Sequence, residues 1–96
     1  MKRTATPSTS RDWTVYVIRC RDRSLYTGIT TDLDRRLRQH NAGRASRYTR
    51  SRLPVKLVHR EAQPDQSTAL KRELAIKKMS RAQKLAMIGQ NTRRVG

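Results

Sequence analysis

The chain has 96 residues, enough for one hydrophobic core and too few for two ordinary domains. Apolar residues make up only 34% and phenylalanine is absent, so the core must be compact and built from Val, Leu, Ile and a few aromatics. Lys and Arg number 23 against 7 Asp and Glu, and the formal charge of +16 surrounds the chain with a field that draws polyanions, nucleic acid foremost.

The lone Cys20 excludes an internal disulfide and suits a reducing compartment. No run approaches the ~18 apolar residues of a membrane span. The first dozen residues lack the apolar stretch of a secretory signal, although a basic, acid-poor opening is also the composition of a transit peptide. The expected organisation is a disordered basic arm over 1–12, one domain over 13–89 and a flexible tail over 90–96. A cytoplasmic monomer that binds nucleic acid and no membrane is expected.

From Trp13 to Arg19 the run is β-branched and aromatic, apolar on both alternating sets, as in a strand covered on both faces. Cys20 to Ser24 is a polar connection and Leu25 to Ile29 resumes β character, which predicts a hairpin. Thr30 and Thr31 offer N-caps, Asp32 and Asp34 suit a first helical turn, and a helix is predicted to Asn41 with Gly43 as its stop. Residues 44–53 set Arg44, Arg47, Arg50 and Arg52 around Tyr48 with no apolar period, and they read as a loop. Pro54 opens a third strand over Val55 to Glu61, in which Val55, Leu57 and His59 alternate with Lys56, Val58 and Arg60. Pro64 and Asp65 introduce a helix to about Met79, and Ser80 with Gln83 makes a capping box for a last short helix closing at Gly89. Three strands with helices covering them predict an α/β layer fold.

Three features carry chemistry. A hairpin turn centred on Asp22 puts Tyr16 opposite Gly28 and Ile18 opposite Tyr26, so both tyrosines share a face with a bare glycine between them. Either a small pocket opens there, or two core aromatics pack beside a glycine bulge. In the first helix Leu33, Arg36, Leu37 and His40 form one stripe. Arg36 and His40 then need a polar destination such as a phosphate, or they snorkel from the edge of the stripe. The third feature is Glu73, four residues after Ala69 and three after Leu70 and before Ile76, hence on an apolar stripe. Its other reading is an exposed i,i+4 pair with Lys77, worth ~0.3 kcal/mol. Asp32, Asp34, Asp65 and Asp22 are accounted for by caps and a turn, which leaves Glu73 as the carboxylate of a helix interior. One hard cation with mostly water ligands is the most such a chain can hold, and His40, His59 and Cys20 do not make a zinc spacing.

Val15-Tyr16, Tyr26-Thr27-Gly28, Thr30 through Asn41, Tyr48-Thr49-Arg50 and Lys71-Arg72-Glu73 together resemble the GIY-YIG nuclease superfamily, in its small single-domain branch. The arginine eight residues and the histidine twelve residues after the glycine, with the later helical glutamate, make the likeness specific, and it spans nearly all of 13–88. Thr14 stands where the first motif has glycine, Thr27 replaces the central isoleucine of the second, and Ile29 follows Gly28 where some members carry lysine.

The resemblance implies a three-stranded antiparallel sheet flanked by helices and a one-metal hydrolysis of phosphodiester bonds. DNA is the expected substrate ahead of RNA, although the sequence leaves the choice open. It implies that Glu73 holds a single Mg²⁺ or Mn²⁺, that Arg36 stabilises the charge of the phosphorane-like state, and that Tyr16 deprotonates the attacking water. It also implies that Tyr26 and His40 position water or phosphate. The phenol of Tyr16 must fall from ~10 to act as a base, and nearby cations are expected to bring it down. Arg44, Arg47, Arg50 and Arg52 are expected to contact phosphates and Tyr48 to stack on a base, the other reading being a solvated basic loop. A non-catalytic DNA- or RNA-binding module is the alternative to an endonuclease.

Overall fold

A computed structural model describes residues 12–95; the expected arm over 1–12 lies outside them except for Asp12, as does Gly96 of the expected tail. The chain runs β1 (Trp13–Arg19), β2 (Leu25–Thr30), α1 (Leu33–Asn41), α2 (Arg47–Arg50), β3 (Lys56–Gln63), α3 (Gln66–Lys77) and α4 (Arg81–Val95). The three strands form one antiparallel sheet in the order β2-β1-β3. Among the described residues no helix is long and apolar enough to cross a membrane.

The central position of β1 explains why Val15, Tyr16, Val17 and Ile18 are all buried: consecutive side chains enter opposite layers. Tyr16, Ile18, Cys20 and Val55 form one cluster with Tyr26, Leu33, Leu37, Leu53 and Leu57. Val15, Val17, Ala69 and Ile76 form the other, with Trp13, Leu25, Ile29, Val58, Met79, Met87 and Ile88. The hairpin has the register expected from its even parity, Tyr16 across from Gly28 and Ile18 across from Tyr26.

Caps set the helix limits. Asp32, and neither Thr30 nor Thr31, is the N-cap of α1, its carboxylate accepting from the Arg35 amide at 3.1 Å. Thr30 is instead the last residue of β2, where its hydroxyl accepts from the Asp32 amide. Gly43, at φ 77°, ends α1 through Gly43 N–H to His40 C=O and Arg44 N–H to Gln39 C=O, the paired bonds of a Schellman stop. Asp65 caps α3 by accepting from the Thr68 amide at 2.8 Å. Ser80 and Gln83 form the reciprocal capping box, each side chain accepting from the other's amide.

Three further expectations are corrected. The arginine segment is not wholly a loop: Ser46 caps the one-turn helix α2 by accepting from the Tyr48 amide. The last helix does not close at Gly89 but runs to Val95, within the segment read as a flexible tail. A glycine inside a helix costs about 1 kcal/mol, too little to stop one already running through Lys84, Leu85, Ala86 and Met87. The simple alternation of β3 is also broken, because Val17 pairs with His59 while Ile18 pairs with Leu57. Val58 is the extra residue of a bulge, so Leu57 joins the Tyr16 layer while Val58 packs in the Val15 layer.

Candidate active site

Strand β1 delivers Tyr16 to the α1 side of the sheet, where its hydroxyl meets His40 Nε2 at 2.9 Å. The other ring nitrogen, His40 Nδ1, lies 2.9 Å from Thr49 Oγ1, and that hydroxyl donates to the Ser46 carbonyl at 3.4 Å. Both His40 contacts depend on its tautomer: with the Thr49 proton on Ser46, Thr49 accepts from His40 Nδ1–H, and Nε2 then accepts from the Tyr16 hydroxyl. His40 and Thr49 are fully buried.

Tyr26 and His40 meet in a T-shaped pair, with centroids 5.4 Å apart at 67°, and Tyr26 stacks on Tyr48 at 6.0 Å. The Arg52 guanidinium sits 4.0 Å from the centre of the Tyr48 ring and bonds Asp22 at 3.0 Å and the Tyr48 carbonyl at 2.7 Å. An unbroken line of contacts therefore joins the buried Tyr16–His40 pair to the hairpin turn.

Gly28 is the residue that makes room for Tyr16. A Cβ placed on it would fall 2.5 Å from the Tyr16 hydroxyl oxygen and 2.7 Å from Cζ. The space beside the glycine is thus filled by Tyr16 itself. A separate open groove of about 230 Å³ is lined by Thr30, Thr31, Asp32, Arg35, Arg36 and Gln39.

The electrostatics differ from what charge alone suggests. Burial pushes the Tyr16 phenol well above its ordinary 10, with Tyr26 and Glu73 adding to the rise, and the opposing pull of Arg36 is smaller. The expected fall is therefore corrected: losing hydration costs the phenolate more than a neighbouring guanidinium returns. His40 is held below its usual 6.5 by burial first and by the charge of Arg36 second, so the imidazole is neutral. These couplings put Arg36 and Glu73 within electrostatic reach of Tyr16.

Of the residues singled out in the sequence, Tyr16, Tyr26 and His40 are in direct contact. His40 has its polar destination inside the protein, in Tyr16 and Thr49, rather than in a phosphate. Both readings of Glu73 hold in part: its carboxylate pairs with Lys77 at 3.2 Å, yet it is 15% exposed against 50% for the lysine. Leu70 is exposed and does not belong to the core stripe. Arg44, Arg47 and Arg50 are exposed and carry no ion pair among the described residues, whereas Arg52 is engaged by Asp22 and Tyr48.

Sequence reasoning gave Thr49 no role, and the only signal for it was its place three residues after the capping Ser46. Asn41 was likewise missed. Its side chain accepts from the Val55 amide at 2.8 Å and donates to the Val55 carbonyl at 3.3 Å, pinning the end of α1 to the start of β3.

Among the described residues no three of His, Cys, Asp and Glu gather into a ligand set. A single carboxylate at the site fits a hard cation that keeps mostly water and substrate oxygens around it. It does not fit zinc.

The GIY-YIG catalytic domain matches residues 12–86. A UPF0213 protein of Syntrophus aciditrophicus is 52% identical over 82 residues, 84% of this chain and 94% of the relative. Another, of Cupriavidus pinatubonensis, is 52% identical over 82% of this chain and 88% of its own length. Among solved structures, the UPF0213 protein BH0048 of Bacillus halodurans matches with a TM-score of 0.55 at 39% identity, over 82% of this chain and 84% of that one. The E. faecalis protein EF2693 matches with a TM-score of 0.57 at 34% identity, over 90% of both chains. The chain belongs to the GIY-YIG family, alongside the small single-domain UPF0213 proteins. Membership places it in a nuclease family with a nucleic-acid substrate.

Proposed function

We propose that the protein is a divalent-metal-dependent endonuclease that hydrolyses phosphodiester bonds in DNA, with selectivity for structure, in repair or recombination. The observation that carries this reading is the buried Tyr16–His40–Thr49 chain of hydrogen bonds next to the charges of Arg36 and Glu73. Glu73 would hold one Mg²⁺ or Mn²⁺, which when bound supplies positive charge to the phosphate undergoing attack.

Arg36, on the rim of the open groove, stabilises the negative charge that builds on the phosphoryl oxygens as the water oxygen bonds to phosphorus and the bond to the leaving oxygen breaks. A free Tyr16 phenolate is costly because the phenol is buried. The proton transfers are therefore concerted: Tyr16 takes the proton of the attacking water as its own proton passes to His40 Nε2. Thr49 holds His40 in the tautomer that can receive it. The imidazolium so formed lies near Arg36, and the negative charge developing on phosphate offsets that repulsion. Tyr26 fixes the His40 ring from the side.

A non-catalytic nucleic-acid-binding module is the second reading, favoured by the Glu73–Lys77 pair, which occupies the carboxylate. Cleavage of supercoiled, single-stranded and branched DNA against Mg²⁺ and Mn²⁺, with Glu73→Ala in parallel, separates the two. The endonuclease reading expects metal-dependent cutting that the variant loses while still binding DNA. Binding without cutting on every substrate would leave the module.

A further inference from the structure

We infer that the hairpin tip carries a second phosphate-binding site, which grips the backbone of the bound nucleic acid away from the bond being cut. The site is a groove of about 380 Å³ lined by Arg19, Cys20, Arg21, Arg23, Pro54 and Lys56. It rests on the nucleic-acid reading above, and it lies outside the arginine segment and shares no residue with the Arg36 groove.

Four cations line this groove, and none of them is ion-paired among the described residues. The nearby acid, Asp22, is already committed: it accepts from the amide and hydroxyl of Ser24 and from Arg52. Four like charges around one cleft repel one another and gain from a polyanion that enters it.

The backbone points the same way. Arg23 adopts φ 72°, the left-handed region that glycine and asparagine enter readily and arginine enters at a cost. The turn closes around it through Cys20 N–H to Ser24 C=O and Arg23 N–H to Cys20 C=O, both 2.9 Å. A residue less suited to the turn, with its guanidinium free of ion pairs, is explained if that guanidinium binds a ligand.

The groove is also held in a fixed place relative to the catalytic pocket. The Arg21 amide donates to the Arg52 carbonyl at 2.9 Å, and Arg52 bridges Asp22 and Tyr48, which stacks on Tyr26. Thr30, on the Arg36 groove, pairs with Thr14, and Arg19, on the tip groove, is five residues further along β1. At roughly 3.3 Å per residue that is about 17 Å. The two grooves are thus separate enough that one bound nucleic acid presents different phosphates to each.

The test is the salt dependence of binding to a labelled 20-base-pair duplex, followed by fluorescence anisotropy in EDTA so that cleavage plays no part. Each phosphate contact removed lowers the slope of log affinity against log salt by ~0.9. Arg23→Asn is expected to lower it by about that amount, with thermal stability unchanged or raised because asparagine suits the turn. Arg19→Ser, Arg23→Asn and Lys56→Ser combined are expected to lower it by roughly two to three. A charge-matched control, Lys71→Ser, Lys78→Ser and Arg81→Ser on α3, its C-cap and α4, is expected to leave it unchanged. A slope unmoved by the groove variants, or lowered equally by the control, overturns the site. Failure of the wild-type protein to cut DNA in the separate metal assay would sink the endonuclease and leave this result standing.

Discussion

Gly28 and Tyr16 face each other across the β1–β2 ladder, and the tyrosine ring occupies the volume that any side chain at 28 would need. The atom in the way is not a loose end: the Tyr16 hydroxyl is held by His40. Gly28→Ala must therefore displace the ring or the strand. The expected outcome is a loss of about 1–3 kcal/mol in stability from overpacking. Cleavage should fall on the order of 10²-fold as Tyr16 leaves its position. Urea unfolding read beside cleavage kinetics checks both, and a fully active Gly28→Ala would contradict the placement of Tyr16.

Tyr16, His40 and Thr49 form one chain of bonds, so their contributions to catalysis should not add. Tyr16→Phe and His40→Ala are each expected to remove most of the cleavage rate, and the double variant to be scarcely slower than either. Tyr16→Phe also leaves His40 Nε2 buried without a donor, a cost of about 1–3 kcal/mol in stability. Thr49→Val should act through the tautomer, lowering kcat with little change in DNA affinity. Additive losses across the Tyr16/His40 cycle would show that the two act separately.

Acid should inactivate and destabilise the protein together. The folded state holds His40 below 6.5, so as pH falls through that value the unfolded chain gains a proton that the folded one refuses, and stability present above it is lost. Glu61 adds a second step. Arg72, with His59, holds its carboxyl below the usual 4.5, and the stability this supplies above 4.5 is lost as pH falls. Because His40 must be neutral to accept a proton, kcat/KM is expected to show an acid limb below pH 6.5. A pH–rate profile in a constant-ionic-strength buffer checks this, and an acid limb centred above 6.5 would contradict it.

Arg72 forks onto Glu61 at 2.7 and 2.9 Å, and Glu61 also meets His59 Nε2 at 2.7 Å, which fastens β3 to the helix that carries Glu73. The Arg72 side chain is 36% exposed, so solvent screens the pair and a loss of about 1–2 kcal/mol is expected for Arg72→Ala. Arg72→Lys should recover only part, since an ammonium cannot form the fork. With α3 less firmly seated, cleavage in Arg72→Ala is expected to decline more than DNA binding. Equal declines in both would assign Arg72 to the DNA surface.

Much of the scaffold was legible because it is local. Even parity between Tyr16 and Gly28 sets the hairpin register whatever packs above it, and Gly43, Asp65 and the Ser80–Gln83 pair mark helix ends through bonds spanning only a few residues. The stripe of Leu33, Arg36, Leu37 and His40 likewise follows from helical period alone. Where local signals compete, the reading failed: Asp32 outranked Thr30 and Thr31 as a cap, and Gly89 was too weak a breaker.

What the sequence determined by itself was therefore the order of elements, the hairpin register, the basic charge and the family pattern of Tyr16, Tyr26, Gly28, Arg36, His40 and Glu73. Only the tertiary structure decided that His40 is walled in between Tyr16 and Thr49, that Val58 bulges out of β3, and that Arg52 is bound to Asp22 thirty residues away. It also reversed the expected direction of the Tyr16 shift, since composition counts charges but burial sets what an ionised group loses by leaving water. Periodicity and capping act over a few residues, whereas desolvation and long-range bonds exist only once distant segments have packed together.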